Sequence, residues 1–239
     1  MTKKKEIEPE DFTPQGNDFA IKPLKFKNVK QKNFFQLIKD PESQLVICNG
    51  PAGVGKNMIA LYSGLKLLKQ GKYEQILYVR TPVDSSDTKI GFLKGDLFEK
   101  TTNYMFPLDE KLDKFLKVDA RQELLRSGQI ETTVNTFMRG RSIDNTFVII
   151  DEMQNFSLRE AQVILSRFES NTKIVAIGDH TQSDIGGKSC LKNLMSMFGD
   201  EDAQQHGVFT FEFDVEDIVR SGLTQYVIET FNKYRKFNR

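Results

Sequence analysis

The amino-acid sequence predicts an α/β fold with a mostly parallel sheet flanked by helices. From Gln44 onwards, short apolar runs alternate with longer segments of helical periodicity, which is typical of repeated β-α units. Four runs are continuous rather than alternating, as expected for strands that are covered on both faces. The predicted strands are Leu45–Cys48, Ile76–Val79, Glu131–Asn135, Phe147–Ile150, Ile174–Ile177 and Val208–Phe213.

Helical patterns lie between and after these strands. The first predicted helix has apolar residues at helical spacing and stops at Gly71. Ser157-Leu158-Arg159-Glu160 has the residue pattern of a capping box and opens another helix. The predicted helices are Lys56–Gln70, Glu110–Arg126, Ser157–Phe168 and Leu223–Tyr234.

Composition indicates one domain with a flexible start. The chain has 239 residues, a net charge of +1 and two distant cysteines, so neither a strongly basic body nor a cysteine-based metal site is expected. Residues 1–25 are polar and proline-containing, and we predict a flexible N-terminal arm there and a single domain over residues 26–239. The chain has no apolar stretch of the ~20 residues that cross a bilayer. We therefore expect a cytoplasmic protein without a membrane partner.

A phosphate-binding loop is predicted between the first strand and the helix that follows it. The segment fits the pattern G-x-x-x-x-G-K in the strand-to-helix context that this motif requires. Its backbone N–H groups can surround a phosphate at the positive end of the helix, and the lysine can reach the β- and γ-phosphates. The candidate nucleotide-binding residues are Gly50, Pro51, Ala52, Gly53, Val54, Gly55 and Lys56.

Asn57 departs from this pattern, which normally has Ser or Thr as a ligand of Mg²⁺. An amide oxygen can also bind a hard cation, so Asn57 is a candidate metal ligand. Two interpretations stay open. Either Asn57 is a working variant, or it weakens metal binding and with it turnover.

Two further strands end in polar residues at the edge of the sheet where ligands bind. Asp151 and Glu152 follow Phe147–Ile150, and we predict that Asp151 holds Mg²⁺ while Glu152 polarises the attacking water. Gln182 follows the next strand and could orient that water or sense the γ-phosphate. Arg139, Arg141 and Arg220 are candidates for stabilising transition-state charge, although solvated charges or ion pairs explain them equally well.

Taken together, these motifs resemble the PhoH-like ATPase family. The resemblance runs from about Asn28 to the C-terminus. It is carried by the phosphate loop and by Arg80-Thr81-Pro82, Ile90–Leu97, Phe137–Arg141, Val148–Asn155, Gly178–Asp184 and Asp217–Arg220.

The resemblance implies a P-loop NTPase with a RecA-like core, related to one half of a superfamily-one helicase. It implies that Gln31 contacts adenine and that Gln182 senses the γ-phosphate. It also implies RNA-linked roles and ring-shaped, hexameric homo-oligomers, and short members of this kind are common in bacteriophages, where the site of action would be the host cytoplasm. Asn57 replaces the family's usual Thr, and Val54 replaces another common Thr.

The leading hypothesis is an ATPase that uses ATP and Mg²⁺ and acts on RNA or single-stranded DNA as a helicase-like motor or remodeller. A neighbouring subunit of a ring would supply one of the three arginines. The alternative is a nucleotide-binding switch or scaffold with little turnover because of Asn57. A small-molecule kinase is a third, less favoured interpretation. A nucleic-acid surface could include Lys89, Lys94, Arg139 and Arg141 with Phe92 and Phe137, which could equally be loop charges and core aromatics.

Overall fold

A computed structural model describes residues 18–81, 108–138, 143–169 and 171–219, together with residues 222–223, 226–227, 230–231 and 234. Within these residues, six strands form a single all-parallel sheet in the order β3-β2-β4-β5-β1-β6. The predicted α/β fold is therefore confirmed. The strands are β1 (Leu45–Asn49), β2 (Gln75–Arg80), β3 (Ile130–Val134), β4 (Thr146–Ile150), β5 (Lys173–Gly178) and β6 (Val208–Glu212).

Helices cover both faces of the sheet. They are α1 (Val29–Lys39), α2 (Lys56–Lys69), α3 (Val118–Arg126), α4 (Leu158–Leu165), α5 (Leu191–Met197) and α6 (Glu201–Gln205). α4 begins with the predicted capping box, in which the Ser157 hydroxyl accepts from the Glu160 backbone and the Glu160 carboxylate accepts from the Ser157 backbone. α1, α5 and α6 were not predicted from the sequence.

The single helix predicted over Glu110–Arg126 is wrong. Residues 108–112 are helical, the chain then turns, and α3 starts after an extended Lys117. In an uninterrupted helix at about 100° per residue, Leu124 would lie about 120° around the axis from Leu112. Both side chains are buried in the same core cluster, and the turn is what lets both of them reach it.

Alternate side chains of the central strands separate two hydrophobic layers. In β4, Phe147 and Ile149 pack in the layer beneath α1 and α2, whereas Val148 and Ile150 pack in the layer with α4 and α5. α2 lies close to β4, because a Cβ atom at Gly64 would be only 2.7 Å from the Phe147 ring. This contact fixes the helix that follows the phosphate loop against the centre of the sheet.

The two ends of the described chain differ in how well they were predicted. Phe19 is buried in the core, the Lys69 ammonium donates to its carbonyl, and the Lys22 N–H donates to the Phe115 carbonyl. Residues 18–25 therefore pack on the domain and are not a free arm, while residues 1–17 lie outside the described residues. The residues described between 222 and 234 are helical, as predicted for the last helix. Among the described residues, none of the helices combines the length and apolarity needed to span a bilayer.

Candidate nucleotide-binding site

The carboxyl ends of β1, β4 and β5 meet at one edge of the sheet because these strands are parallel and β5 lies between the other two. A cleft of about 630 Å³ opens at this edge, which is a size typical of ligand sites. It brings together most of the predicted site residues. Those that line it are Gln31, Ala52, Gly53, Gly55, Lys56, Asn57, Asp151, Glu152 and Gln182.

The phosphate loop connects β1 to α2 with a backbone that depends on glycine. Gly53 and Gly55 have φ angles of 96° and 92°, in the left-handed region that other residues rarely adopt. At Gly50 a Cβ atom would lie 2.6 Å from the Cβ of Phe213. The loop therefore has the tight, side-chain-free curvature that lets backbone N–H groups face a phosphate.

Lys56 is the first residue of α2 and points back into the loop. Its ammonium donates to the carbonyl of Gly50 at 2.5 Å and to that of Pro51 at 2.9 Å. Burial lowers the pKa of Lys56, and nearby acids, including Asp179, partly oppose that shift. A nucleotide phosphate would offer this ammonium charged acceptors, which form stronger hydrogen bonds than carbonyls do.

Asn57 lies beside the predicted metal ligand of β4. Its Nδ2 donates to Asp151 Oδ2 at 3.3 Å, and its Oδ1 is buried without a hydrogen-bond partner among the described residues. A buried amide oxygen without a partner next to a carboxylate suits a hard cation that is also bound by phosphate oxygens. No group of three or more His, Cys, Asp or Glu side chains in the described part of the chain could hold a metal. The unpaired amide oxygen of Asn57 beside the Asp151 carboxylate fits a Mg²⁺ ion that takes its other ligands from a nucleotide.

Three neighbours of Asp151 were not predicted. Asp151 is 3% exposed. The Tyr78 hydroxyl donates to its Oδ2, and Lys111 Nζ and Arg80 Nε lie 3.5 Å and 3.7 Å from the same oxygen. Lys111 Nζ also donates to the Tyr78 hydroxyl at 2.7 Å. The sequence carries no spacing signal for Lys111, because only the fold brings residues 108–112 to the end of β4.

Glu152 has an unusual backbone and a defined side-chain contact. Its φ of 57° and ψ of 41° are left-handed, which is uncommon for a residue other than glycine. Its Oε2 accepts from Gln154 Nε2 at 2.6 Å, and its Oε1 lies 3.9 Å from Arg80 Nη2. Strain of this kind is concentrated at functional sites, and Glu152 lines the cleft together with the phosphate loop.

Gln182 lies in the turn that follows β5. Its Nε2 donates to Asp179 Oδ2 at 2.9 Å, and Thr181 donates to the other carboxylate oxygen through its N–H and its hydroxyl. Asp179 thus fixes the conformation of the turn. Gln182 lines the same cleft as Lys56 and Glu152, so the three predicted catalytic side chains on described segments share one site.

Gln31 is hydrogen-bonded to the phosphate loop. Its Nε2 donates to the Val54 carbonyl at 2.9 Å, and its Oε1 accepts from the Lys27 N–H at 2.8 Å. These contacts place the amide at the rim of the cleft, on the side of α1. Its predicted contact with adenine stays a prediction.

Arg139, Arg141 and Arg220 lie outside the described residues. Val219, the residue before Arg220, donates its backbone N–H to the Gly53 carbonyl at 3.2 Å. The residue that precedes Arg220 in the chain is therefore in contact with the phosphate loop.

A parallel α/β sheet with a G-x-x-x-x-G-K loop after β1 and an acidic pair after β4 defines a P-loop nucleotide-binding protein with a RecA-like fold. A family model described as "PhoH-like protein" matches residues 23–232. The chain belongs to the PhoH-like family.

Curated relatives agree with this assignment. The chain is 32% identical to a PhoH-like protein of Bacillus subtilis over 98% of this chain and 72% of that protein. It is 31% identical to Protein PhoH of Escherichia coli K12 over 88% of this chain and 58% of that protein. It therefore spans between about half and three quarters of these relatives' lengths. The solved structure of the DUF1998 helicase MrfA bound to DNA is similar over 83% of this chain, with 13% identity and a TM-score of 0.43.

Proposed function

We propose that this protein binds ATP with Mg²⁺ and hydrolyses it to ADP and phosphate. The observation that carries the proposal is the convergence of Lys56, Asn57, Asp151, Glu152 and Gln182 on one cleft at the carboxyl ends of three adjacent strands. Phosphoryl transfer needs positioning and charge stabilisation more than covalent chemistry. The cleft offers a phosphate loop, a pair of metal-ligand candidates and the Glu152 carboxylate.

The side chains divide the proposed reaction between them. Lys56 and the loop N–H groups bind the β- and γ-phosphates, and Asn57 and Asp151 hold the cation, which when bound neutralises phosphate charge. Glu152 accepts a proton from water as the water oxygen attacks the γ-phosphorus. The bond from that phosphorus to the β–γ bridging oxygen breaks, and ADP leaves with the electron pair. Gln182 orients the water or contacts the γ-phosphate.

Phosphate release from the purified chain with ATP, with and without Mg²⁺, tests this proposal. We expect release that requires Mg²⁺ and falls at least about 100-fold in Glu152→Gln, as is typical for loss of a general base. Nucleotide affinity should change little in that variant. Equal release from wild type and Glu152→Gln would contradict the assigned role of the carboxylate.

A second candidate function is a nucleotide-binding switch with slow turnover, and the orientation of Asn57 favours it. The amide group that faces Asp151 is a donor, which competes with a cation for the same carboxylate oxygen. Asn57→Thr tests this alternative. No release from wild type together with release from Asn57→Thr would support the switch, whereas similar rates in both would support the ATPase.

We further propose that the protein uses ATP hydrolysis to act on RNA or single-stranded DNA. We also propose that it does so as part of a ring of subunits. Support comes from family membership and from the sequence motifs. Lys89, Lys94 and Phe92 lie outside the described residues, as do Arg139 and Arg141, and nothing is described of the Phe137 side chain. We expect single-stranded RNA or DNA to stimulate phosphate release in a salt-sensitive way. Absence of both binding and stimulation at low salt would refute the nucleic-acid part, and a monomer with full activity in sedimentation would refute the ring.

A further inference from the structure

Glu152 and Gln182, two residues of the cleft, are joined through Gln154 and Asp179. Gln154 has no role in the site as described so far. Gln154 Nε2 donates to Glu152 Oε2 at 2.6 Å, and Gln154 Oε1 accepts from the Asp179 N–H at 3.0 Å. Asp179 in turn accepts from Gln182 Nε2 at 2.9 Å. A continuous hydrogen-bonded path thus runs from the carboxylate after β4 to the amide after β5.

The position of Gln154 is tightly determined. The residue is 1% exposed. A Cβ atom at Gly178 would lie 2.6 Å from Gln154 Oε1 and 2.8 Å from the Leu191 side chain, so the end of β5 accommodates this amide because it has no side chain there. The amide's Nε2 is occupied by Glu152 and its Oε1 by the Asp179 N–H. A buried amide that is held in this way has a single orientation, with the donor end toward Glu152.

The side chain of Glu152 is less constrained by its surroundings than that of Asp151, so a hydrogen bond from Gln154 has more effect on its orientation. Its side chain is 36% exposed, whereas that of Asp151 is nearly buried and held by several partners. A long, half-exposed carboxylate can adopt several rotamers, and only some of them face the cleft. A donor on Oε2 restricts these rotamers and leaves Oε1 to accept a proton from water.

We propose that Gln154 is a positioning residue that orients Glu152 for proton transfer and fixes it relative to the Gln182 turn. This inference rests on the proposed hydrolysis and adds to it the residue that aligns the base. Removal of Gln154 should therefore lower kcat and leave nucleotide affinity unchanged, because the residue touches Glu152 and the Asp179 backbone rather than the phosphate loop.

The test compares Gln154→Met with a matched control, Asn155→Leu. Asn155 is a neighbouring buried amide that connects the turn after β4 to the segment after the Gln182 turn, by donating to Asp184 Oδ2 and accepting from the Asp184 N–H, both at 2.9 Å. We expect Gln154→Met to lower kcat about 10- to 100-fold, the size of one hydrogen bond to a charged group. Asn155→Leu should lower kcat less than about 3-fold at a comparable loss of thermal stability. The affinity for ADP, measured by competition with a fluorescent nucleotide, should stay within about 2-fold in both.

A double-mutant comparison separates positioning from general damage. In a Glu152→Gln background, Gln154→Met should cause no further loss of kcat, since the residue acts through the carboxylate. An additive loss, or equal losses in Gln154→Met and Asn155→Leu, would overturn the inference while leaving ATP hydrolysis in place. Wild-type protein that releases no phosphate would instead refute the proposed hydrolysis, and the inference with it.

Discussion

Replacement of Lys111 by methionine should destabilise the protein through Asp151. Lys111 Nζ lies 3.5 Å from Asp151 Oδ2, and the lysine side chain is 19% exposed. At an effective dielectric constant of about 20, two unit charges at this separation attract by about 5 kcal/mol. Burial of the ammonium lowers the pKa of Lys111 although Asp151 opposes the shift, because desolvation and the nearby Arg80 charge together outweigh the attraction at the lysine. The cost of the substitution therefore lies in the compensating charge that Asp151 loses.

The expected loss of unfolding free energy is at most about 2 kcal/mol, because methionine also removes the desolvation cost of the ammonium. Removal of one partner of a buried ion pair costs about 3–5 kcal/mol when the other charge is left alone. Here Arg80 and the Tyr78 hydroxyl still face the carboxylate, so the cost should fall below that range. Methionine has a similar length and keeps the contacts of the lysine stem.

Urea denaturation of four proteins measures this coupling: wild type, Lys111→Met, Asp151→Asn and the double variant. In the Asp151→Asn background, Lys111→Met should cost no more than about 1 kcal/mol, because the charge that it neutralises is gone and only its hydrogen bond to Tyr78 is lost. Lys114→Met, at an exposed lysine three residues further on, serves as the control and should be nearly neutral. An equal loss in both backgrounds would refute the electrostatic reasoning.

Three further predictions concern stability. Gly64→Ala should lower the unfolding free energy by about 1–3 kcal/mol, measured in urea, because its Cβ would lie 2.7 Å from the Phe147 ring. Ser157→Ala should cost about 1 kcal/mol in the same assay, through loss of the capping box of α4. Lys173→Met should change the pH dependence of stability, because burial lowers the pKa of Lys173 from an ordinary value of 10.5 to about 8. Between these pH values the unfolded chain holds a proton that the folded protein has released. As the pH increases from about 8 to 10.5, the unfolding free energy of the wild type should therefore rise relative to that of the variant, by at most about 1.4 kcal/mol per pH unit.

Each of these predictions has a distinct outcome that would contradict it. Gly187→Ala, where an added Cβ meets nothing within 4 Å, should be nearly neutral, and a loss equal to that of Gly64→Ala would argue against the steric explanation. Ser157→Thr should retain most of the stability lost in Ser157→Ala, since it keeps the capping hydroxyl. Parallel stability curves for wild type and Lys173→Met from pH 7 to 10.5 would show that the lysine keeps its ordinary pKa in the folded protein.

The parts of the fold that follow from local pattern were predictable from the sequence. Continuous apolar runs predicted β1, β2, β4 and β5 to within one residue at each end. The phosphate loop was recognisable because glycine spacing and an adjacent strand and helix encode it. Parallel topology then placed Asp151, Glu152 and Gln182 at one edge. This inference needed no knowledge of the order of the strands.

The contacts that tertiary structure creates could not be predicted in this way. Lys111 reaches Asp151 from 40 residues upstream, and Gln154 joins two turns from different strands. Phe19 was assigned to a free arm because the polar residues and prolines around it outweighed a single aromatic side chain. In each case the partner is distant in sequence, so no local periodicity or spacing records it.

The hydrogen bond from Val219 to Gly53 ties the phosphate loop to the segment after β6. That segment is also held at the start of α1, where Lys30 pairs with Asp214 at 2.5 Å and Asn28 donates to Asp217. The start of α1, the segment after β6 and the phosphate loop are thus connected through hydrogen bonds and an ion pair. By thermodynamic reciprocity, a partner whose binding shifts residues 213–219 would change nucleotide affinity by some factor, and nucleotide would change that partner's affinity by the same factor.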